Sequence, residues 1–128
     1  MNATLKLGEH FIFDLSNCNH ETLMDSELSY SLFAQAVRES GLTVVDEGFY
    51  KFSPHGFTCF LLLSESHASL HAWPEYDYCA IDLFTCAIGK DMIPLIQRIK
   101  EAFGANNFSL RKIDREAEVE KIPFSVPS

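Results

Sequence analysis

Apolar residues recur along the chain at two different spacings, and the changes of spacing mark the elements. Over residues 7–15 they alternate imperfectly with polar ones, the period of a half-buried strand, and the run ends at the turn-rich Ser16, Asn17, Cys18 and Asn19. The spacing then lengthens to three and four. Leu28, Leu32, Phe33, Ala36 and Val37 make one apolar face of a helix that Asp25 or Ser26 can cap, reaching about Ser40, with Gly41 as its stop. Residues 42–52 are rich in strand formers, 53–56 read Ser-Pro-His-Gly as a turn, and Phe57–Leu63 is apolar enough for a buried strand. Residues 66–73 and 78–86 alternate again on either side of Pro74. Asp91 can cap a second helix to about Phe103, with Pro94 tolerated in its first turn and Gly104 ending it. Its buried stripe is Met92, Leu95, Ile96, Ile99 and Phe103. A last strand follows over 108–113, and the charged 114–121 with the Pro-containing end read as a loose tail. Strand, helix, several strands, helix and strand make an α+β fold. The expectation is a two-layer sandwich, a mostly antiparallel sheet with two helices on one face.

Composition narrows the picture. A chain of 128 residues with 47% hydrophobic content and 11 Phe buries a core as one domain, 1–128, and is not disordered. Ten basic against eighteen acidic residues give a net charge of -8, which argues against nucleic acid or an anionic membrane as partner and suits a cationic ligand. No run approaches the ~18 apolar residues of a membrane span, and the first residues have no apolar signal core, so a cytoplasmic protein is the expectation. Cysteines 18, 59, 79 and 86 have no paired metal-ligand spacing; free thiols and no metal are expected.

The chemistry concentrates in residues 64–86, SESHASLHAWPEYDYCAIDLFTC, where the polar members of an alternating pattern are reactive types. Alone, Ser66 reads as an ordinary strand serine, His71 as a structural histidine and Cys86 as a small hydrophobe. Together SESH, H-x-WPEY and DLFTC, preceded in order by GEHFIFDLSNC and KFSPHGFT, resemble the prokaryotic S-adenosylmethionine decarboxylase proenzymes, a pyruvoyl-dependent family. The resemblance implies a self-cleaving chain. Ser66 attacks the carbonyl of Glu65, the ester eliminates, and 1–65 separates from a 66–128 fragment headed by a pyruvoyl group. It implies that His71 is the base of the elimination, that the Thr58 hydroxyl aids the acyl shift, and that Cys86 returns a proton to the substrate Cα. A pyruvoyl carbonyl forms a Schiff base and accepts the electrons of decarboxylation, in a chain with no pyridoxal phosphate signature. The small-molecule substrate implied is S-adenosylmethionine, held by Phe52 and more weakly Trp73 on the adenine and sulfonium, by Glu75 on the ribose, and with Asp14 nearby. It also implies a homodimer paired through its sheets and a place in spermidine biosynthesis.

The chain departs from the family pattern at Glu9, usually Arg or Lys, and at Ala72, Asp77, Cys79 and Ala87, usually Thr, Gly, Ala and Gly. Asp77 reads as a surface turn or, with Glu9, as a partner for the distal cation of ornithine or arginine. Three functions stay open at this point: S-adenosylmethionine decarboxylase, a pyruvoyl-dependent decarboxylase of a basic amino acid, and an unprocessed, noncatalytic binding homologue.

Overall fold

Alternation along each strand divides the molecule into two layers. In a computed structural model that describes residues 2–120, the strands are β1 (Asn2–Ser16), β2 (Val44–Lys51), β3 (Phe57–Leu63), β4 (Ser66–Trp73), β5 (Tyr78–Thr85) and β6 (Asn107–Glu120). They form one antiparallel sheet in the order β2-β3-β4-β5-β1-β6. Helices α1 (His20–Met24), α2 (Ser26–Glu39) and α3 (Ile93–Ala102) follow, with a single 3-10 turn at Pro74–Tyr76. One sheet face presents Phe11, Phe13, Leu15, Phe57, Leu61, Leu70, Ile81 and Leu83, all buried with α2 and α3. The other face carries Phe60, Leu62, Trp73 and Ile113, each about two-fifths exposed. The expected sandwich is present, and β3 and β4 begin and end where the alternation placed them.

Asp25 caps α2 by accepting the Leu28 N–H at 3.0 Å. The buried stripe of α2 is rotated from the expected one: Ser29, Phe33, Ala36 and Val37 are buried, whereas Leu28 is exposed. Ser29 can take the core position because its hydroxyl donates to the Thr22 carbonyl at 2.7 Å. All five residues expected on the second helix are buried, Leu95, Ile96 and Ile99 within α3 and Met92 and Phe103 at its two caps. Its entry is held by Asp91, which accepts the Ile93 N–H at 3.1 Å from just outside the helix.

Two expectations are corrected. Residues 114–120 are strand, not tail: β6 continues to Glu120, pairing Asp114 with Glu9 and Glu118 with Thr4. Its side chains there are mostly exposed on both faces, so backbone pairing without burial left no apolar period to read. Residues from 121 on lie outside the described set. The one-turn α1, capped by Asn19, was also not foreseen. In β1, Gly8 follows a register shift, and a Cβ there would stand 2.6 Å from the Phe84 ring, so a larger residue would have to displace that ring.

Candidate functional site

The expected processing residues lie at opposite ends of the sheet. Ser64 and Glu65 form the two-residue turn of the β3–β4 hairpin, which puts Ser66 opposite Leu63 on one side and Thr85 on the other. Cys86 is the next residue beyond Thr85, and its backbone N–H donates to the Glu65 carbonyl at 3.0 Å. That carbonyl is the one a Ser66 hydroxyl must attack. The Glu65 carboxyl is held below its ordinary range by a hydrogen bond from Ser64, aided by the Thr43 N–H and the nearby Lys90. Ser66 is half-buried, and Cys86 is the exposed thiol.

At the far end, Thr58 of β3 stands opposite His71 of β4, with Thr58 Oγ1 and His71 Nδ1 2.8 Å apart. The Thr58 hydroxyl also reaches the Leu70 carbonyl at 3.4 Å. Ser66 and His71 share one unbulged strand, five residues apart. That separation is about 16 Å at strand rise, and the odd offset sends the two side chains to opposite faces. Within one chain, then, His71 and Thr58 do not meet Ser66.

The His71 end opens into a cavity of about 300 Å³ whose walls include Phe52, His55, Gly56, His71, Trp73 and Glu75. Three of the five expected substrate contacts therefore share one cavity with His71. Gly56 makes the cavity possible: its φ of +93° turns β2 into β3, and a Cβ there would lie 3.1 Å from the Ala72 carbonyl. His55 Nε2 meets the Glu75 carboxylate at 3.2 Å and fixes its direction. Trp73 lies between His71 and Tyr78, with ring centroids 6.2 and 5.5 Å away. The Tyr78 phenol is pushed up to about 12, mainly by burial and then by its hydrogen bond to Asp14. Asp14 is thus linked to the cavity wall through Tyr78 and Trp73, though it does not line the cavity. His55 and Tyr78 were missed in sequence; His55 sits inside KFSPHGFT, and Tyr78 follows WPEY closely, yet neither has a pattern of its own.

Two departures from the family pattern are already partnered. Asp77, in left-handed backbone at φ 50°, places its carboxylate 2.7 Å from His20 Nδ1, away from the cavity wall. Glu9 is 3% exposed, with Lys6 and Lys112 ammoniums each 2.7 Å from its Oε2, and its Oε1 accepts the Gly89 N–H at 3.3 Å. Lys112 and then Lys6 hold its carboxyl at about 2. Both carboxylates are thus already engaged, Asp77 by His20 and Glu9 by Lys6, Lys112 and the Gly89 N–H. All four cysteines are free thiols; Cys79 donates to Cys18, which lowers the Cys18 thiol and raises that of Cys79. His67 projects from the open face between the rings of Phe60 and Phe84, at 6.0 and 5.6 Å. Among the described residues no cluster of His, Cys, Asp or Glu is arranged to hold a metal, and no helix is long and apolar enough to cross a membrane.

The backbone superposes on the crystal structure of the adenosylmethionine decarboxylase from Aquifex aeolicus VF5 with a TM-score of 0.81 and 28% identity, over 94% of this chain and 98% of that one. Fold and residue set define the class, a two-layer α+β decarboxylase domain. The sequence model of the S-adenosylmethionine decarboxylase family matches residues 9–116. The S-adenosylmethionine decarboxylase proenzyme of Thermotoga maritima is 37% identical over 109 residues, 85% of this chain and 84% of that one. That of Thermodesulfovibrio yellowstonii is 35% identical over 125 residues, 94% and 91% of the two chains. The chain belongs to the S-adenosylmethionine decarboxylase family of enzymes.

Proposed function

We propose that this chain is a self-processing, pyruvoyl-dependent S-adenosylmethionine decarboxylase that releases CO2 and supplies the decarboxylated product for spermidine synthesis. The observation that carries the reading is the Cys86 N–H aimed at the Glu65 carbonyl beside Ser66. A donor in that place stabilises the oxyanion formed when the Ser66 hydroxyl adds to the carbonyl. The Glu65–Ser66 amide C–N bond then breaks and an ester replaces it. Loss of the Ser66 Cα proton expels the Glu65 carboxylate, and water converts the remaining enamine to a pyruvoyl group and ammonia. This residue set therefore fits the group: a serine behind a polarised carbonyl, an adjacent thiol and, among the described residues, no side chain bonded to that carbonyl.

The base comes from elsewhere. His71 is too far from the Ser66 of its own chain, so the reading requires a homodimer in which the His71 end of one open face meets the hairpin-turn end of the other, with the Ser66 side chain, which starts on the helix-side face, turned about that hairpin end toward it. If the Thr58 hydroxyl donates to Leu70, its oxygen accepts the His71 Nδ1–H and leaves Nε2 free as the base. The pyruvoyl group supplies the electron sink for loss of CO2 from an α-amino acid. Around it, Phe52 and Trp73 offer ring faces to adenine and sulfonium, and Glu75 offers a carboxylate to the ribose hydroxyls. Cys86, exposed beside the cut, returns a proton to Cα. A cavity of about 300 Å³ is at the small end for such a ligand, consistent with a partner sheet supplying its remaining wall.

Nothing favours a basic amino acid as substrate, since the two carboxylates that suggested one are engaged by His20, Lys6 and Lys112. Denaturing mass spectrometry of the purified chain beside Ser66→Ala tests the processing. Two fragments, 1–65 and 66–128, with no free amino group on the second, are expected only with Ser66 present. One lasting 14.5 kDa chain overturns the reading. Release of labelled CO2 from S-adenosylmethionine, against ornithine and arginine, tests the substrate.

A further inference from the structure

We infer that Glu9 is a positioning residue for the cleavage site: through the Gly89 N–H it anchors the loop between β5 and α3, and so fixes where the Cys86 N–H stands against the Glu65 carbonyl. The inference rests on the roles proposed above for Cys86 and Glu65. Its own ground is the geometry of that loop.

The loop leaves β5 at Thr85, whose backbone pairs with both Glu9 and Ser66. Thr85 is fully buried and its Oγ1 accepts the Ala87 N–H at 2.9 Å. Two tight turns follow, Ile88 N–H to the Cys86 carbonyl at 2.9 Å and Lys90 N–H to the Ala87 carbonyl at 3.2 Å. Gly89 sits at their apex with φ +84°, a backbone conformation that turns its N–H toward Glu9, with nothing within 4 Å of a Cβ position. The glycine is therefore required for its conformation and not for space. At one end the loop is tied to the scissile turn by Cys86, and at its apex to the sheet by Glu9.

A lone carboxylate at such a buried place would be costly, and here it is neutralised. Lys6 on β1 and Lys112 on β6 close on Oε2, and both are themselves drawn toward Asp114, at 3.2 and 3.9 Å. Lys90, in the loop itself, lies near the Glu65 carboxyl on the other side. With Oε2 taken by the two ammoniums, Oε1 is the oxygen turned to Gly89. A loop displaced by about 1 Å at Cys86 would take the donor off the carbonyl, and misplacement of that size commonly costs catalysis up to ~100-fold.

Two conservative variants separate anchoring from ion pairing. Glu9→Gln keeps an oxygen at the same reach but no charge. Glu9→Asp keeps the charge and withdraws the oxygen by one methylene. In the uncut full chain carrying Ser66→Ala, amide hydrogen exchange at Cys86 and Gly89 is read relative to Ile81 in the preceding strand β5, which removes any change in global stability. Glu9→Asp is expected to lose about tenfold in relative protection at both amides, and Glu9→Gln to stay within about threefold of the parent. In chains with Ser66 intact, self-cleavage is expected to slow about tenfold with Asp and to change little with Gln. The reverse ranking, or equal loss in both, assigns the effect to pairing with Lys6 and Lys112 and overturns the inference; so do two variants with undisturbed amides. A parent chain that never cleaves defeats the proposed function instead, and the exchange measurement still decides the anchor.

Discussion

Glu9 is also where the chain's response to acid can be worked out. Its carboxyl titrates at about 2 in the fold against an ordinary 4.5, because Lys112 and Lys6 bind the ionised form. A depressed carboxyl favours the folded state at every pH above its unfolded value, and that contribution fades as pH falls from about 4.5 toward 2. Urea unfolding of Glu9→Gln and the parent at a series of pH values should therefore show a gap near neutrality that narrows across this window. A gap that stays constant down to pH ~2.5 would show that the variant loses packing and not charge. At this scale the candidate residues were readable, because Ser66, His71, Cys86, Thr58 and Glu75 stand in recognisable blocks. The group that polarises the Glu65 carbonyl was not. It is a backbone N–H, common to every non-proline residue, and only the fold gives it a target.

Elements whose burial matches their period were the legible ones. β3 shows strict alternation, with Phe57, Cys59, Leu61 and Leu63 buried and the residues between them facing the open side. α3 repeats the case at helical spacing, which leads to a direct test. Ile96 is 2% exposed in the middle of the stripe that packs α3 on the sheet, and Gln97 beside it is exposed. Ile96→Ala should destabilise the uncut chain by about 2–5 kcal/mol, while Gln97→Ala should stay within ~0.5 kcal/mol. Chemical denaturation at one fixed protein concentration reads both, since any dimer adds a concentration term to stability. A loss below ~1 kcal/mol for Ile96→Ala would mean that α3 rests on the sheet without a filled contact. By the same logic β6 was half invisible. Its partner on the sheet is the backbone of β1, and Glu116, Glu118 and Glu120 keep it soluble at an edge without any buried side chain to signal a strand.

The whole molecule turns on the separation between Ser66 and His71. The open face between them is too apolar to be left to water over its full length: Phe60, Leu62, Trp73 and Ile113 are exposed there, and Phe60, His67 and Phe84 stack across β3, β4 and β5. A two-fold axis lying between two such faces and running across the strands reverses the partner's strand direction. It brings each His71 end against the other chain's Ser66 end and covers the apolar face in the same step. In the proposed homodimer each of two composite sites would take the Glu65–Ser66 turn from one chain and His71 with Thr58 from the other. The count of five residues along one strand already contained this separation, but a motif read as a unit suggests that its members meet. The arrangement makes a prediction that an intramolecular site cannot match. Ser66→Ala has no attacking hydroxyl and His71→Ala has no base, so each alone should stay uncut. Mixed under conditions that exchange subunits, they form dimers in which the Ser66 of the His71→Ala chain faces an intact His71. Only the His71→Ala polypeptide should then be cut, which differently tagged chains distinguish on a denaturing gel. Absence of any cleavage, with subunit exchange verified by the mixed tags, would place the base within the same chain and require a rearrangement of β4 that this fold does not show.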